Sequence, residues 1–412
     1  MNRWKLYWIA WIAAILLGAL LPGVFAVPAH AEGQRPVLRE FIQRTLAEHP
    51  ALIAARTRVQ AARARLQAAE APLYNPEMEV GYENGEDETK DIGISQTLDW
   101  SGKRDARAKT ESYALTGAEE NLAIARRNLL TELLTALAEY NQRRELAALA
   151  DRRQKLASEL AALADRRHAM GDLPRSELLA SRLELQRANV ETAKATASLL
   201  ESEERLIAVT GQRGTLWPRV DGTPGSLPAL DTITFKDLPE VRQAEATLFR
   251  AQAGVRVARK NRLPDPTIGL RGGQDNDETL IGLRLSIPLP ILNSRRAEVM
   301  AASEDARASA SDLHDIQRQV IARLESAYRG YEATHVAWRE WETTGTADLQ
   351  QQTALLHRLL QVGEIGTIDY LVQLNQTFDT ETAAIELRGQ LWQRWFLALA
   401  AAGRLEAWTE TL

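Results

Sequence analysis

The segment GDLPRSELL at residues 171–179 recurs without a gap as GEIGTIDYL at 363–371, 192 residues later. Gly171 stands over Gly363, Asp172 over Glu364, Leu173 over Ile365, Glu177 over Asp369 and Leu179 over Leu371. A short turn written twice at such a spacing is the mark of one structural unit duplicated in a single chain. The fold must therefore contain two equivalent halves, and whatever one turn does the other is built to do as well.

The sequence flanking each turn reads as long helix. From 103 to 169 there is no proline and the single glycine is Gly117. Leu149, Leu156 and Leu163 recur every seven residues, and Leu146 and Leu160 share a second heptad line, the spacing of helices that pack along a seam. At 1.5 Å per residue such a helix runs on the order of 100 Å, far more than a globular core needs. A second helix is expected from near Leu173, with Pro174 in its first turn, to Gly211. The Gly- and Pro-rich text from Gly211 to Asp237 reads as a linker or small irregular subdomain. Helical patterning resumes at about 237–262, 294–361 and 367–402.

Between the helices of each half the period changes from helical to two. Met78, Val80 and Tyr82 alternate with Glu77, Glu79 and Gly81, and Ile92, Ile94 and Leu98 alternate with Gly93, Ser95, Thr97 and Asp99. In the second half Ile268 and Leu270, then Ile281, Leu283, Leu285 and Ile287, alternate with small or polar residues that include Arg271 and Arg284. These are strands with one apolar and one polar face. Pro76 and Pro266 are expected to end the incoming helices, and the turns that join the strands are acidic, with Glu86, Asp87 and Glu88 in one and Asp275, Asp277 and Glu278 in the other.

Four strands of about 8–10 residues have the length to cross a bilayer at a tilt, but four cannot close, and an open edge in lipid leaves backbone groups unsatisfied. Several chains must then share one barrel. Its apolar set would meet lipid, with Tyr74, Tyr82 and Trp100 at the interfaces, while Glu77, Glu79, Glu83, Asp99, Arg271 and Arg284 would line the lumen. The N-terminus supports export: Arg3 and Lys5 precede an apolar stretch that reaches AHA at 29–31, the order of a signal peptide cleaved near Ala31. Its removal takes the formal charge from −5 to about −7, which leaves no basic footprint for nucleic acid. The absence of cysteine excludes thiol nucleophiles, cysteine metal sites and a lipid anchor on an N-terminal cysteine.

The duplicated plan of helix, hairpin, long helix, tip and helix, over about residues 36–405, resembles the TolC-like outer-membrane efflux family. The phrases YNPEMEV, ISQTLDWSGKRDAR and LSIPLPILNSRRAEV resemble its heavy-metal branch, of the cobalt-zinc-cadmium type. The resemblance implies a mainly α fold with a small membrane β-barrel: a homotrimer in which each chain gives four strands to one barrel in the lipid of the outer membrane, and long helical hairpins form a tunnel across the periplasm. It divides the chain into a leader at 1–31, a first repeat at 32–211 with its hairpin at about 76–100 and tip at about 170–174, a linker at 212–236, and a second repeat at 237–412 with its hairpin at about 266–288 and tip at about 362–367. It implies as partners a periplasmic adaptor (membrane fusion) protein and an inner-membrane pump of the RND type.

On the same resemblance Met170, Gly171, Asp172 and Leu173, with Val362, Gly363, Glu364 and Ile365, match the turns on which the adaptor docks. Asp369 matches a pore-constricting aspartate and Glu177 is its duplicate; a ring of carboxylates from three chains would favour cations. Where some members carry a second ring aspartate this chain has Val372, and where some carry an arginine that locks the tip it has Ile365, so those particular bonds are not implied. No phosphate-binding glycine loop, nucleophile elbow or metal-ligand pair on one helical face occurs, so no cofactor, metal site or enzyme activity is expected. The competing readings are an outer-membrane duct for drug efflux or type I protein secretion, and a soluble periplasmic scaffold or adaptor. The presence of two complete hairpins and only four candidate strands argues against the scaffold.

Overall fold

The computed structural model describes residues 35–84, 88–213, 217–275, 278–362 and 364–412. The leader and its expected cleavage at Ala31 lie outside the described residues, as do Glu86, Asp87, Asp277 and Gly363. The elements in chain order are α1 (Arg35–Glu48), α2 (Pro50–Glu70), β1 (Glu77–Asn84), β2 (Glu88–Thr97), α3 (Lys103–Ala169), α4 (Arg175–Thr210), α5 (Pro239–Lys260), β3 (Thr267–Asp275), β4 (Glu278–Ser286), α6 (Arg296–Glu340), a π-helical turn (Trp341–Gly345), α7 (Thr346–Val362), α8 (Thr367–Ala401) and α9 (Leu405–Glu410). Among the described residues no helix is long and apolar enough to cross a membrane.

α3 is one unbroken helix of 67 residues, about 100 Å long. Its alanines, leucines, arginines and glutamates are all good helix formers. Leu130, Leu133, Leu134 and Leu137 are fully buried, each worth about 2 kcal/mol of burial. They form the main core with Leu38 and Ile42 of α1, Leu206 of α4, Tyr328 and Tyr331 of α6, Leu391 and Phe396 of α8 and Leu405 of α9.

Two expectations about boundaries need correction. The incoming helices end at Glu70 and Lys260, ahead of Pro76 and Pro266. The prolines that act are Pro72, which holds Ala71 in an extended conformation (φ −68°, ψ 155°), and Pro264, before which the chain unwinds through a tight turn at 261–263. The helix expected as continuous over 294–361 is interrupted by the π-helical turn. Pro174 stands one residue before α4, at its N-cap.

The Gly/Pro-rich linker lies on the core and is tied down by aromatic side chains. Tyr328 donates to Pro228 O at 3.0 Å, Tyr331 to Gly225 O at 2.9 Å, and Trp392 Nε1 to Gly222 O at 3.1 Å. Burial pushes the Tyr331 hydroxyl up to about 12. These bonds satisfy carbonyls that the irregular linker backbone cannot pair by itself.

Candidate functional site

The four strands form one antiparallel sheet in the order β1-β2-β3-β4. Directly paired residues share a face, so the register fixes what each face presents. Met78, Ile94, Leu270 and Leu283 make one row, and Val80, Ile92, Gly272 and Ile281 the next. Val80 is 74% exposed and Ile281 87%, so nothing among the described residues covers this apolar face. The opposite face carries the rows Glu77, Ser95, Gly269, Arg284 and Glu79, Gly93, Arg271, Gly282, with Glu83 paired to Thr89 farther along. Arg284 and Glu79 form an ion pair at 3.5 Å. Arg271 stretches across Gly282, where an added Cβ would lie 2.9 Å from its Nε.

Five of the six residues assigned to the polar set, Glu77, Glu79, Glu83, Arg271 and Arg284, are thus on one face. Asp99 is not in a strand. Its carboxylate accepts the Lys103 and Arg104 backbone N–H groups, both at 2.8 Å, and caps α3. Tyr74 and Trp100 are likewise engaged at the foot of the sheet: Tyr74 donates to Asp265 at 2.6 Å and Trp100 Nε1 to Pro264 O at 2.7 Å. Lys103 Nζ binds Asp265 at 2.7 Å and Leu263 O at 2.7 Å, and Lys260 Nζ binds the carbonyls of Ser101 and Gly102 at 2.8 and 2.9 Å. The feet of the two hairpins are therefore tied to each other, which holds β2 against β3.

The sheet sits where α3 begins, and the tips lie where α3 ends. Ile365, beside the second tip, packs in one cluster with Leu156 and Leu160 near the end of α3, so both tips are at the same end. One backbone bond recurs in both. Asp172 N–H donates to Arg167 O at 2.9 Å, and Glu364 N–H to Leu359 O at 3.0 Å. In the first tip Gly171, at φ +83°, also donates to His168 O at 3.0 Å, completing a Schellman turn. The next helices start alike. Pro174 (φ −61°, ψ 149°) and Gly366 (φ −69°, ψ 154°) are their N-caps, and they accept from Leu178 at 3.2 Å and Tyr370 at 2.9 Å.

At the tips Met170 and Val362 are 68% and 63% exposed, Asp172 and Glu364 are exposed, Leu173 is buried and Ile365 half-buried. Glu177 and Asp369 occupy the same place in the first turns of α4 and α8, half-buried and exposed respectively. Neither has an ion-pair partner among the described residues, and both are favoured there by the helix dipole. Tyr370, next to Asp369, is fully buried with no hydrogen-bond partner for its hydroxyl.

Sequence reasoning missed the ionic clamps along α3. Arg153 is 8% exposed by side chain and reaches Glu184 at 3.0 Å and Glu191 at 2.6 Å on α4, and Asn375 at 2.7 Å on α8. Arg127 binds Glu240 of α5 through two hydrogen bonds, one of 2.8 Å, and Arg323 of α6 joins the same carboxylate at 3.0 Å. The available signal was a charge inside an apolar stripe, since Arg153 lies in line with Leu149, Leu156 and Leu160, and Arg127 with Leu130, Leu134 and Leu137.

Comparison with known proteins follows this architecture. A family model described as outer membrane efflux protein matches residues 41–212 and 236–403. The chain is 27% identical over 241 residues to the cobalt-zinc-cadmium resistance protein CzcC of Cupriavidus metallidurans, a match spanning 56% of this chain and 58% of that protein. It is 24% identical over 315 residues to the nickel-cobalt-cadmium resistance protein NccC of Alcaligenes xylosoxydans xylosoxydans, covering 73% and 71%. Among solved structures, CusC superimposes with a TM-score of 0.75 over 90% of this chain and 92% of its own at 16% identity. The Campylobacter jejuni CmeC outer membrane channel does so with 0.76, over 89% and 86%, at 13% identity.

Proposed function

Because this chain belongs to the outer membrane efflux protein family, we propose that it is the outer-membrane duct of a tripartite efflux system, a homotrimer through which substrates leave the cell passively. The observation that carries this reading is the four-stranded sheet with an uncovered apolar face, a charged opposite face and two unpaired edges, β1 and β4. A sheet of that kind is satisfied in a bilayer only when β4 of one copy pairs with β1 of the next until the barrel closes. Its apolar rows then meet outer-membrane lipid, and Glu77, Glu79, Glu83, Arg271 and Arg284 face the water-filled lumen.

In this reading the long helices cross the periplasm and the two tips receive a periplasmic adaptor at Met170, Gly171, Asp172 and Leu173 and at Val362, Gly363, Glu364 and Ile365. An inner-membrane pump of the RND type supplies the energy. Glu177 and Asp369, without ion pairs among the described residues at the start of α4 and α8, form the carboxylate constriction just inside the tip. The likeness to two proteins named for cobalt, zinc, cadmium and nickel resistance supports heavy-metal cations as the cargo, and a constriction ringed by carboxylates suits cations.

The test is single-channel conductance of the purified mature protein in planar bilayers, with Asp369→Ala and Asp369→Ala/Glu177→Ala beside the wild type. A trimer-sized protein with a small cation-selective conductance, which rises or loses selectivity in the variants, is expected. A conductance indifferent to both substitutions would remove the carboxylate constriction. A protein that stays in solution without detergent and never inserts would remove the duct.

A further inference from the structure

Beside the core, α3, α6 and the end of α8 bound an open cleft of about 670 Å³. Three guanidinium groups line it, those of Arg127, Arg323 and Arg394. Arg127 is buried and bound to Glu240 through two hydrogen bonds, and Arg323 gives the same carboxylate one more at 3.0 Å. Arg394 has no hydrogen bond or ion pair among the described residues, and the side chains of Asn128 on α3 and Ser326 on α6 have none either. Among the described residues one carboxylate lines the cleft, the exposed Glu132. The polar lining is therefore rich in unspent donors and poor in acceptors. The remainder is apolar, with Leu397, Ala400 and Ala401 of α8 and Ala327 of α6.

The duplication of the chain shows what opens the cleft. The residues 192 positions before Ser326, Gly330 and Arg394 are Leu134, Ala138 and Ser202, and in the first half these are 0%, 3% and 4% exposed. The second half has a smaller residue at the first two positions and a long cation at the third. Gly330 makes room for that cation: an added Cβ would lie 2.7 Å from Arg394 Nη1, so the guanidinium rests against α6 although it is rooted in α8. Ion pairs join α8 to α3, Glu381 to Arg152 at 2.6 Å and Arg388 to Glu145. Among the described residues none joins α8 to α6, whose arginines pair within α6 or with Glu240.

We propose that this cleft binds a small organic anion, a carboxylate carried on an apolar body. The planar fork of Arg394 matches a carboxylate through two parallel hydrogen bonds. Asn128, Ser326 and the remaining N–H groups of Arg323 supply further donors, and the apolar body lies along Leu397, Ala327 and Ala401. A few placed polar groups in a mostly apolar lining, at this volume, are the composition of a small-molecule site. The bound anion ties α8 to α6, a polar link that the side chains leave unmade. Arg394 lies about 38 Å along α8 from Asp369 at 1.5 Å per residue, so the site does not depend on the carboxylates at the tip.

The test is isothermal titration calorimetry of the purified full chain in nonionic detergent, with detergent alone as the blank. The probes are 4-phenylbutyrate and the uncharged 4-phenylbutan-1-ol, which share one apolar body. Saturable binding of the acid at one site per chain is expected, with the alcohol weaker by about tenfold or more, the worth of a hydrogen bond to a charged group. Arg394→Gln should weaken the acid by a similar factor and leave the alcohol unchanged. Ser326→Leu, which restores the residue of the first half and keeps every charge, should abolish binding of both. Acid and alcohol binding equally well to the wild type, or no saturable heat from the acid, would overturn the site without recourse to any variant. Acid affinity unchanged in both Arg394→Gln and Ser326→Leu would place the binding elsewhere and overturn it as well.

Discussion

Lys103 Nζ lies 2.7 Å from Asp265 Oδ2, and with side chains 10% and 5% exposed the two form a buried ion pair between the foot of the first hairpin and the foot of the second. Tyr74 donates to the same oxygen at 2.6 Å. The pair joins residues 162 positions apart, so, with the β2–β3 ladder and the bonds of Trp100 and Lys260, it acts on the mutual placement of the two hairpins. Removing one partner of a buried pair strands the other charge, at a cost of about 3 kcal/mol. Asp265→Ala is expected to destabilise the purified protein in detergent by that order, read as a lower thermal midpoint. Lys103→Met, which keeps much of the side-chain length but strands the buried Asp265 carboxylate, is expected to cost a similar amount, and Lys103→Met/Asp265→Asn less than the sum of the two single losses. Additive losses would mean that the pair contributes only packing.

The pH dependence of the helical wall follows from Glu240. Burial alone would raise its carboxyl, but the hydrogen bonds and charge of Arg127, with Arg323 beside it, outweigh burial and hold it below the usual carboxylate range. A group whose folded value is depressed contributes stability that is fully present above its unfolded value, about 4.3, and is lost as pH falls through the folded value. Glu240→Gln is therefore expected to melt below the wild type at neutral pH and to converge with it on acidification. Parallel melting curves from pH 7 to pH 3 would contradict this assignment.

The period-two segments, the two tips and the long helices were legible in the sequence because each rests on local pattern: alternation for Met78 to Tyr82, the Gly171 turn, the proline-free run of α3. The sheet order and the pairing of β2 with β3 were not, because they depend on contacts such as Lys103–Asp265 that no local pattern encodes. Asp99 was misplaced among the lumen residues for a related reason. It continues the alternation of β2 in sequence, yet two α3 backbone N–H groups recruit it as a cap. The π-helical turn at Trp341–Gly345 was invisible because WETTG contains no proline and only one glycine.

The two faces of the sheet make opposite predictions for neighbouring residues. Leu283 stands in the middle of an apolar row and is 76% exposed, while Arg284, next in the strand, faces the other way beside Glu79. An arginine on the lipid face near the bilayer midplane costs about 2–4 kcal/mol, whereas a lumen substitution leaves insertion alone. Leu283→Arg is expected to reduce strongly the trimer recovered from outer-membrane fractions. Arg284→Gln should be recovered at wild-type levels and change only ion selectivity. Similar recovery of both variants would show that this face does not meet lipid.

Shape and charge at the tip can be separated through Gly171. Its φ of +83° closes the Schellman turn, and no neighbour lies within 4 Å of the place a Cβ would take. A substitution there therefore meets backbone strain and no collision. An alanine in that conformation costs about 1–2 kcal/mol, enough to open the turn about 5- to 30-fold more often. In Gly171→Ala the amides at positions 171 and 172, bonded in the wild type to His168 O and Arg167 O, are expected to exchange faster by that factor, with a smaller change for Gly171→Asn because asparagine tolerates the left-handed region. Because the substitution leaves Glu177 and Asp369 in place, ion selectivity in bilayers should stay that of the wild type while the tip frays. A loss of selectivity in Gly171→Ala equal to that in Asp369→Ala would mean that the shape of the turn, and not the carboxylates behind it, sets the constriction.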